Sequence, residues 1–83
     1  MRNDRLVGII EAILYVSGEA IALSTLADAL GHGLEAVEQA LQALEQACQE
    51  DARGLQLKRF ADQVQLVSKA DYATYVERVL QPV

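Results

Sequence analysis

Hydrophobic positions recur along this chain with two different periods, and the switch between them falls at Gly54. Before that glycine the spacing is helical. Leu6, Ile9, Ile10, Ile13 and Leu14 share one stripe. They predict a first helix that is capped by Asn3 or Asp4, runs to about Ser17 and stops at Gly18. "GEAIAL", Gly18 to Leu23, reads as a short extended connector. Ser24 is a good cap for a short helix, "TLADAL", ending at Gly31. "GHG" then predicts a tight turn, with Gly33 at the N-cap of a third helix. In that helix Val37, Leu41, Leu44 and Cys48 fall on one line, flanked by Ala36, Ala40, Ala43 and Ala47, and every Glu and Gln lies on the opposite arc.

After Gly54 the period becomes 2. "LQLKRF" and "QVQLVS" alternate, with "AD" or "DQ" between them as the turn of a β-hairpin. In either register Leu55, Leu57, Val64 and Leu66 share a face, which predicts that they point inward. Phe60 and Val67 then point the other way, beside Lys58 and Gln65. A last helix is expected from about Asp71 to Leu80, with Tyr72, Tyr75, Val76, Val79 and Leu80 on one side and Pro82 closing the chain. Three helices, a two-stranded hairpin and a short final helix follow the order of a winged helix-turn-helix, a mainly α fold with a small β wing. Fold order does not settle function.

Charge narrows the choice. The third helix sits where a helix-turn-helix protein carries its DNA-reading helix, yet Leu34 to Asp51 contains no Lys or Arg. Affinity for duplex DNA comes largely from cations that neutralise phosphates. Over the whole sequence the net charge is −5, which disfavours bulk attraction to nucleic acid or to an anionic membrane. The hairpin region does hold Arg53, Lys58, Arg59 and Lys69, so the alternative to a scaffold is a winged-helix transcription regulator that touches DNA through its wing. The ordinary reading of these four cations is a solvated strand edge that discourages aggregation.

Composition bounds the rest. Eighty-three residues, 52% hydrophobic and 23% charged, suit one packed globular domain close to the size at which a single core is marginal. With no Trp and one Phe, the core must be built from Leu, Ile, Val and Ala. "MRNDR" followed by "LVGIIEAILYV" has the outline of a signal peptide, but Glu11 interrupts the apolar run and Asp4 dilutes the basic start. The run also falls short of the ~20 residues a membrane-spanning helix needs. An amphipathic first helix is the better reading, and a cytoplasmic setting is expected.

Catalytic chemistry finds no foothold. His32 lies between two glycines with no Cys, Asp or Glu at metal-ligand spacing. Cys48 falls on the core line of the third helix, where it reads as a small hydrophobe rather than an activated thiol. Ser17 and Ser24 read as helix-end and cap residues, and "GHG" lacks the spacing and lysine of a phosphate loop. Neither a metal nor a cofactor is expected. Surplus apolar surface points instead to protein–protein assembly. Val7 on one flank of the first helix, and Ala12 and Val16 on the other, widen its arc beyond what one packed face requires. Tyr15, Phe60, Val67, Tyr72 and Tyr75 add to that surplus. Aromatic and aliphatic side chains on an otherwise polar exterior are the usual make-up of an interface core. The competing reading is that the last helix covers Phe60 and Val67 within one chain.

The same stretches resemble a known family. "IIEAILYVSGEAIALSTLADALG", "EAVEQALQAL" and "GLQLKRFADQVQLVSKADYATYV" are similar to segregation and condensation protein B, the small winged-helix subunit of bacterial condensin. Ile10 to Glu19 and Gly54 to Leu57 match its pattern closely, and Val64 to Ser68 with Asp71 and Tyr72 follow it. The departures are Ala20 in place of a proline, Gly33 where a Ser or Thr cap is common, and a hairpin turn without its glycine pair. Members carry a second winged helix, so the resemblance implies that residues 1–83 are the N-terminal domain of a longer two-domain protein. It also implies a non-catalytic homodimer in chromosome condensation and segregation. Its partners would be a kleisin, bound mainly through the second domain, and the ATPase of the structural-maintenance-of-chromosomes (SMC) class, with DNA met only indirectly. Val7, Tyr15, Phe60 and Val67 are the candidate self-contact residues.

Overall fold

In the computed structural model, residues 4–80 are described; Asn3 and Pro82, expected as cap and terminator, lie outside them. Helix α1 spans Asp4–Ser17, α2 Leu23–Leu30 and α3 Leu34–Ala47. Strand β1 is the two-residue Ile21–Ala22, and β2 (Leu55–Phe60) and β3 (Gln63–Ser68) form the hairpin. A 3-10 turn over Ala70–Tyr72 leads into α4, Ala73–Leu80.

Glycine ends the first two helices for a stated backbone reason. Gly18 has φ 65° and returns its N–H to the Leu14 carbonyl at 3.2 Å. Gly31 has φ 69°, and its N–H together with that of His32 points to the Ala27 carbonyl. Both are left-handed conformations that a side chain would strain. The start of α2 differs from expectation. Ser24 is not its cap: Ala22 holds the N-cap position and no side chain caps the helix. Ile21 and Ala22 are held in a sheet, so the chain turns helical directly after them, one residue before Ser24.

That sheet has three strands in the order β1-β3-β2, all antiparallel. Ile21 pairs with Val64 and Ala22 with Gln63. Part of the expected connector is therefore a strand, and the Leu23 N–H extends the pairing to the Asp62 carbonyl at 2.8 Å. In the hairpin Phe60 pairs with Gln63, which leaves Ala61-Asp62 as the two-residue turn. Ala61 adopts φ 50°.

One core joins helices and sheet. Ile10, Leu14, Leu41, Val37 and Val64 are fully buried, with Leu6, Leu26, Leu44, Cys48, Leu57 and Leu66 around them. Leu57 and Leu66 face each other across the hairpin, on the side that meets the helices. No charged or polar side chain is buried among the described residues. Helix α4 contributes nothing to this core. None of its residues is buried, and Tyr75, Val76, Val79 and Leu80 are all exposed. The molecule is correspondingly elongated, 46 × 22 × 20 Å.

Candidate partner-binding surfaces

The α3 surface carries the charge pattern read from the sequence. Glu35, Gln39, Gln42 and Gln46 are exposed, while Val37, Ala40, Leu41 and Leu44 are buried beneath them. The carboxylate at Glu38 is not free. Arg59 on β2 donates from both terminal nitrogens to its two oxygens, at 2.9 and 2.7 Å. This fork-to-fork geometry is the strongest arrangement a guanidinium and a carboxylate can adopt. The Arg59 hydrogen bond is the main cause holding Glu38 below the usual glutamate range, and Glu38 in turn raises Arg59.

The four wing cations consequently do not act as one patch. Arg59 pairs across the ladder with Val64, on the same side as Leu57 and Leu66, so alternation turns it toward α3. Lys58 lies on the opposite face with its Nζ 5.1 Å from the centre of the Phe60 ring. Lys69 donates to the Glu50 carbonyl at 2.8 Å and lies 5.9 Å from the Tyr72 ring centre. Arg53 is exposed in the segment before β2, its backbone N–H bonded to the Glu50 carbonyl. Two of the four are thus committed to partners on or just after α3.

The four candidate self-contact residues also occupy different places. Tyr15 is 71% exposed and borders a hollow lined by Gly8, Glu11, Ala12, Leu55 and Leu66, between α1 and the hairpin. Val7 is half-buried against the core. Phe60 is 40% exposed on the outer hairpin face, where Val67 is half-buried. Helix α4 does not cover that face, because its own apolar residues remain in solvent. Ile9, which its spacing places on the core stripe of α1, is instead 38% exposed, because the buried line runs through Leu6, Ile10 and Leu14. Leu34, which sequence reasoning does not single out, is an exposed large hydrophobic as well. Val16, 82% exposed, bears out the over-wide apolar arc of α1.

Residues that could have carried chemistry are placed structurally. Cys48 is buried in the core, and burial, reinforced by the charge of Glu11, pushes its thiol pKa up. His32 is exposed in the turn between α2 and α3. Among the described residues no group of three His, Cys, Asp or Glu side chains could hold a metal ion. No described helix is long and apolar enough to cross a membrane.

Comparison with known proteins agrees with this architecture. The family model for segregation and condensation complex subunit ScpB matches residues 8–83. Segregation and condensation protein B of Carboxydothermus hydrogenoformans is 31% identical over 75 residues, covering 90% of this chain and 40% of that protein. Its counterpart in Caldanaerobacter subterraneus is 34% identical over 74 residues, covering 89% and 44%. The chain thus spans about two-fifths of the length of these curated relatives. Among solved structures, ScpB from Mycobacterium tuberculosis is similar with a TM-score of 0.85 and 25% identity, over 96% of this chain and 50% of that one. A crystal structure described as a dimer of the ScpB N-terminal domain complexed with ScpA peptide aligns over 93% of both chains, with a TM-score of 0.83 and 27% identity. This chain belongs to the family of the segregation and condensation complex subunit ScpB.

Proposed function

We propose that this chain is a non-catalytic dimerisation and scaffold domain of a chromosome condensation and segregation complex, the N-terminal winged helix of a two-domain protein. It acts with a kleisin subunit and an SMC ATPase in the cytoplasm, on the nucleoid, and meets DNA only through that assembly. The observation that carries this reading is the near end-to-end superposition on the N-terminal domain of a relative that is a dimer bearing a ScpA peptide. The coverage of that relative extends the expectation drawn from the sequence: the first domain, and not only the second, takes part in holding the kleisin.

Physical features point the same way. A helix-turn-helix whose second helix shows glutamate and glutamine repels phosphate, and the cation nearest to that helix is already spent on Glu38. Meanwhile Tyr15, Phe60, Val16 and the α4 stripe place large apolar side chains in water, the kind of surface a second chain covers. Val7, Tyr15, Phe60 and Val67 remain the residues we assign to self-contact. The test is a paired binding measurement on the purified domain. A peptide from the kleisin of the same organism is expected to bind in titration calorimetry, while random and genomic duplexes give no mobility shift at low salt. Sequence-dependent retardation of DNA would overturn the scaffold reading.

A further inference from the structure

Helix α4 has no buried residue, and neither has the 3-10 turn over Ala70–Tyr72 that joins it to β3. Core packing therefore does not set the direction in which α4 leaves the body of the domain. The contacts that set it lie at the turn. The Lys69 N–H meets the Gly54 carbonyl at 2.9 Å, so the chain is held to the hairpin as far as that residue. Beyond it two side chains reach the loop after α3. Lys69 donates from Nζ to the Glu50 carbonyl at 2.8 Å, and the Tyr72 hydroxyl donates to the Asp51 carbonyl at 3.1 Å. The Lys69 Nζ also lies 5.9 Å from the centre of the Tyr72 ring, which ties the two donors to each other. Their anchor is itself braced: the Gln49 and Arg53 N–H groups bond to the Gln46 and Glu50 carbonyls.

Behind this pair lies a hollow of about 430 Å³. Glu45, Gln49, Gln56 and Asp71 line it together with the buried Cys48 and Leu57, and Lys69 and Tyr72 complete its wall. A lining so largely polar gives the turn little apolar bed, so moving the turn forfeits little buried area. What opposes the movement is the two side-chain hydrogen bonds. Scarce burial and solvent-exposed hydrogen bonds mark a segment that opens locally well before the whole domain unfolds.

We propose that Lys69 and Tyr72 form a latch on α4. Closed, it holds the helix in one direction and roofs the hollow beside Cys48. Open, it lets α4 swing about Ala70–Tyr72 while the core stays intact. The exposed stripe of Tyr75, Val76, Val79 and Leu80 rides on this hinge, so the latch decides where that apolar surface is presented. Both states belong to a single chain, and the inference does not depend on the scaffold reading.

The test measures a distance within one molecule. Spin labels are placed at Gln39→Cys on α3 and Val79→Cys on α4 in a Cys48→Ala background, and the labelled chain is diluted into unlabelled protein. Pulsed dipolar spectroscopy should give one narrow distance for this parent. Tyr72→Phe removes only the hydroxyl, and Lys69→Met removes the other donor; together they should broaden the distribution. A variant that merely loses stability keeps the parental distance in its folded molecules. The same pair of substitutions, with Cys48 restored, should speed its reaction with Ellman's reagent about fivefold, as the loss of such hydrogen bonds implies. A broad distribution in the parent, or a double variant that keeps both the narrow distance and the slow thiol, would overturn the latch.

Discussion

Arg59 and Glu38, 21 positions apart in sequence, are joined by two parallel hydrogen bonds that fasten the hairpin to the surface of α3. In a DNA-binding winged helix both of these elements would face the phosphates. Here the wing's arginine is turned inward and spent on the helix, and the helix's carboxylate spends its charge on the wing. Their side chains remain 29% and 38% exposed, so the pair is a clamp in contact with water rather than a buried ion pair.

The sign of its pH dependence follows. Arg59 holds Glu38 below the ordinary glutamate range, so the folded state binds this proton less readily than the unfolded chain. The stabilisation is therefore present above the unfolded value of about 4.3 and is lost as pH falls through the lower folded value. Glu38→Gln is expected to cost about 0.5–1 kcal/mol at neutral pH, as bidentate surface pairs do. Urea denaturation across pH should show wild type and variant converging below pH ~4; a constant gap would contradict this account.

Ala61 is the non-glycine residue with positive φ among the described residues, at 50°. It opens the two-residue turn of the hairpin, where the left-handed region costs an L-residue about 1–2 kcal/mol. Ala61→Gly should relieve this and raise stability by up to about 1 kcal/mol after the added unfolded-state entropy. Thermal and urea midpoints check it, and a destabilised variant would show that the turn is not strained.

Much of this could be read in the sequence, and parity explains both the success and the miss at the wing. Alternation assigned Leu57, Val64 and Leu66 to the inside, where they are buried. The same alternation sends Arg59 inward with Leu57, but its partner lies on another element, so it was grouped with Lys58 as a wing cation. Strand β1 escaped because two residues cannot display a period of two, and its presence moved the start of α2 ahead of Ser24. For α4 the stripe of Tyr75, Val76, Val79 and Leu80 was plain. A stripe does not say what covers it, and within this chain nothing among the described residues buries it.

The core is built from few large side chains, so each counts heavily. Leu41 is fully buried at the centre of α3. Leu41→Ala should cost about 3 kcal/mol through lost transfer energy and the cavity left behind. A domain of this length has only about 4–12 kcal/mol in total. Calorimetric unfolding should show a melting temperature lowered by more than 10 °C, at roughly 4–8 °C per kcal/mol.

Cys48 provides a probe of that core. Burial and the nearby Glu11 raise its thiol pKa, so the reactive thiolate is scarce and shielded. Ellman's reagent at pH 8 should react with the native domain at least about tenfold more slowly than with the urea-unfolded chain. Equal rates would place the thiol in solvent.

The central claim is that the apolar surplus on α1 and the outer wing face exists for a second copy of the chain. Sedimentation equilibrium over the micromolar range tests it most directly. The wild-type domain should approach twice the mass of one chain, and Tyr15→Glu combined with Phe60→Glu, both at exposed positions, should weaken association about tenfold or more without loss of helical signal. A wild-type domain that stays at the mass of a single chain throughout that range would contradict the account.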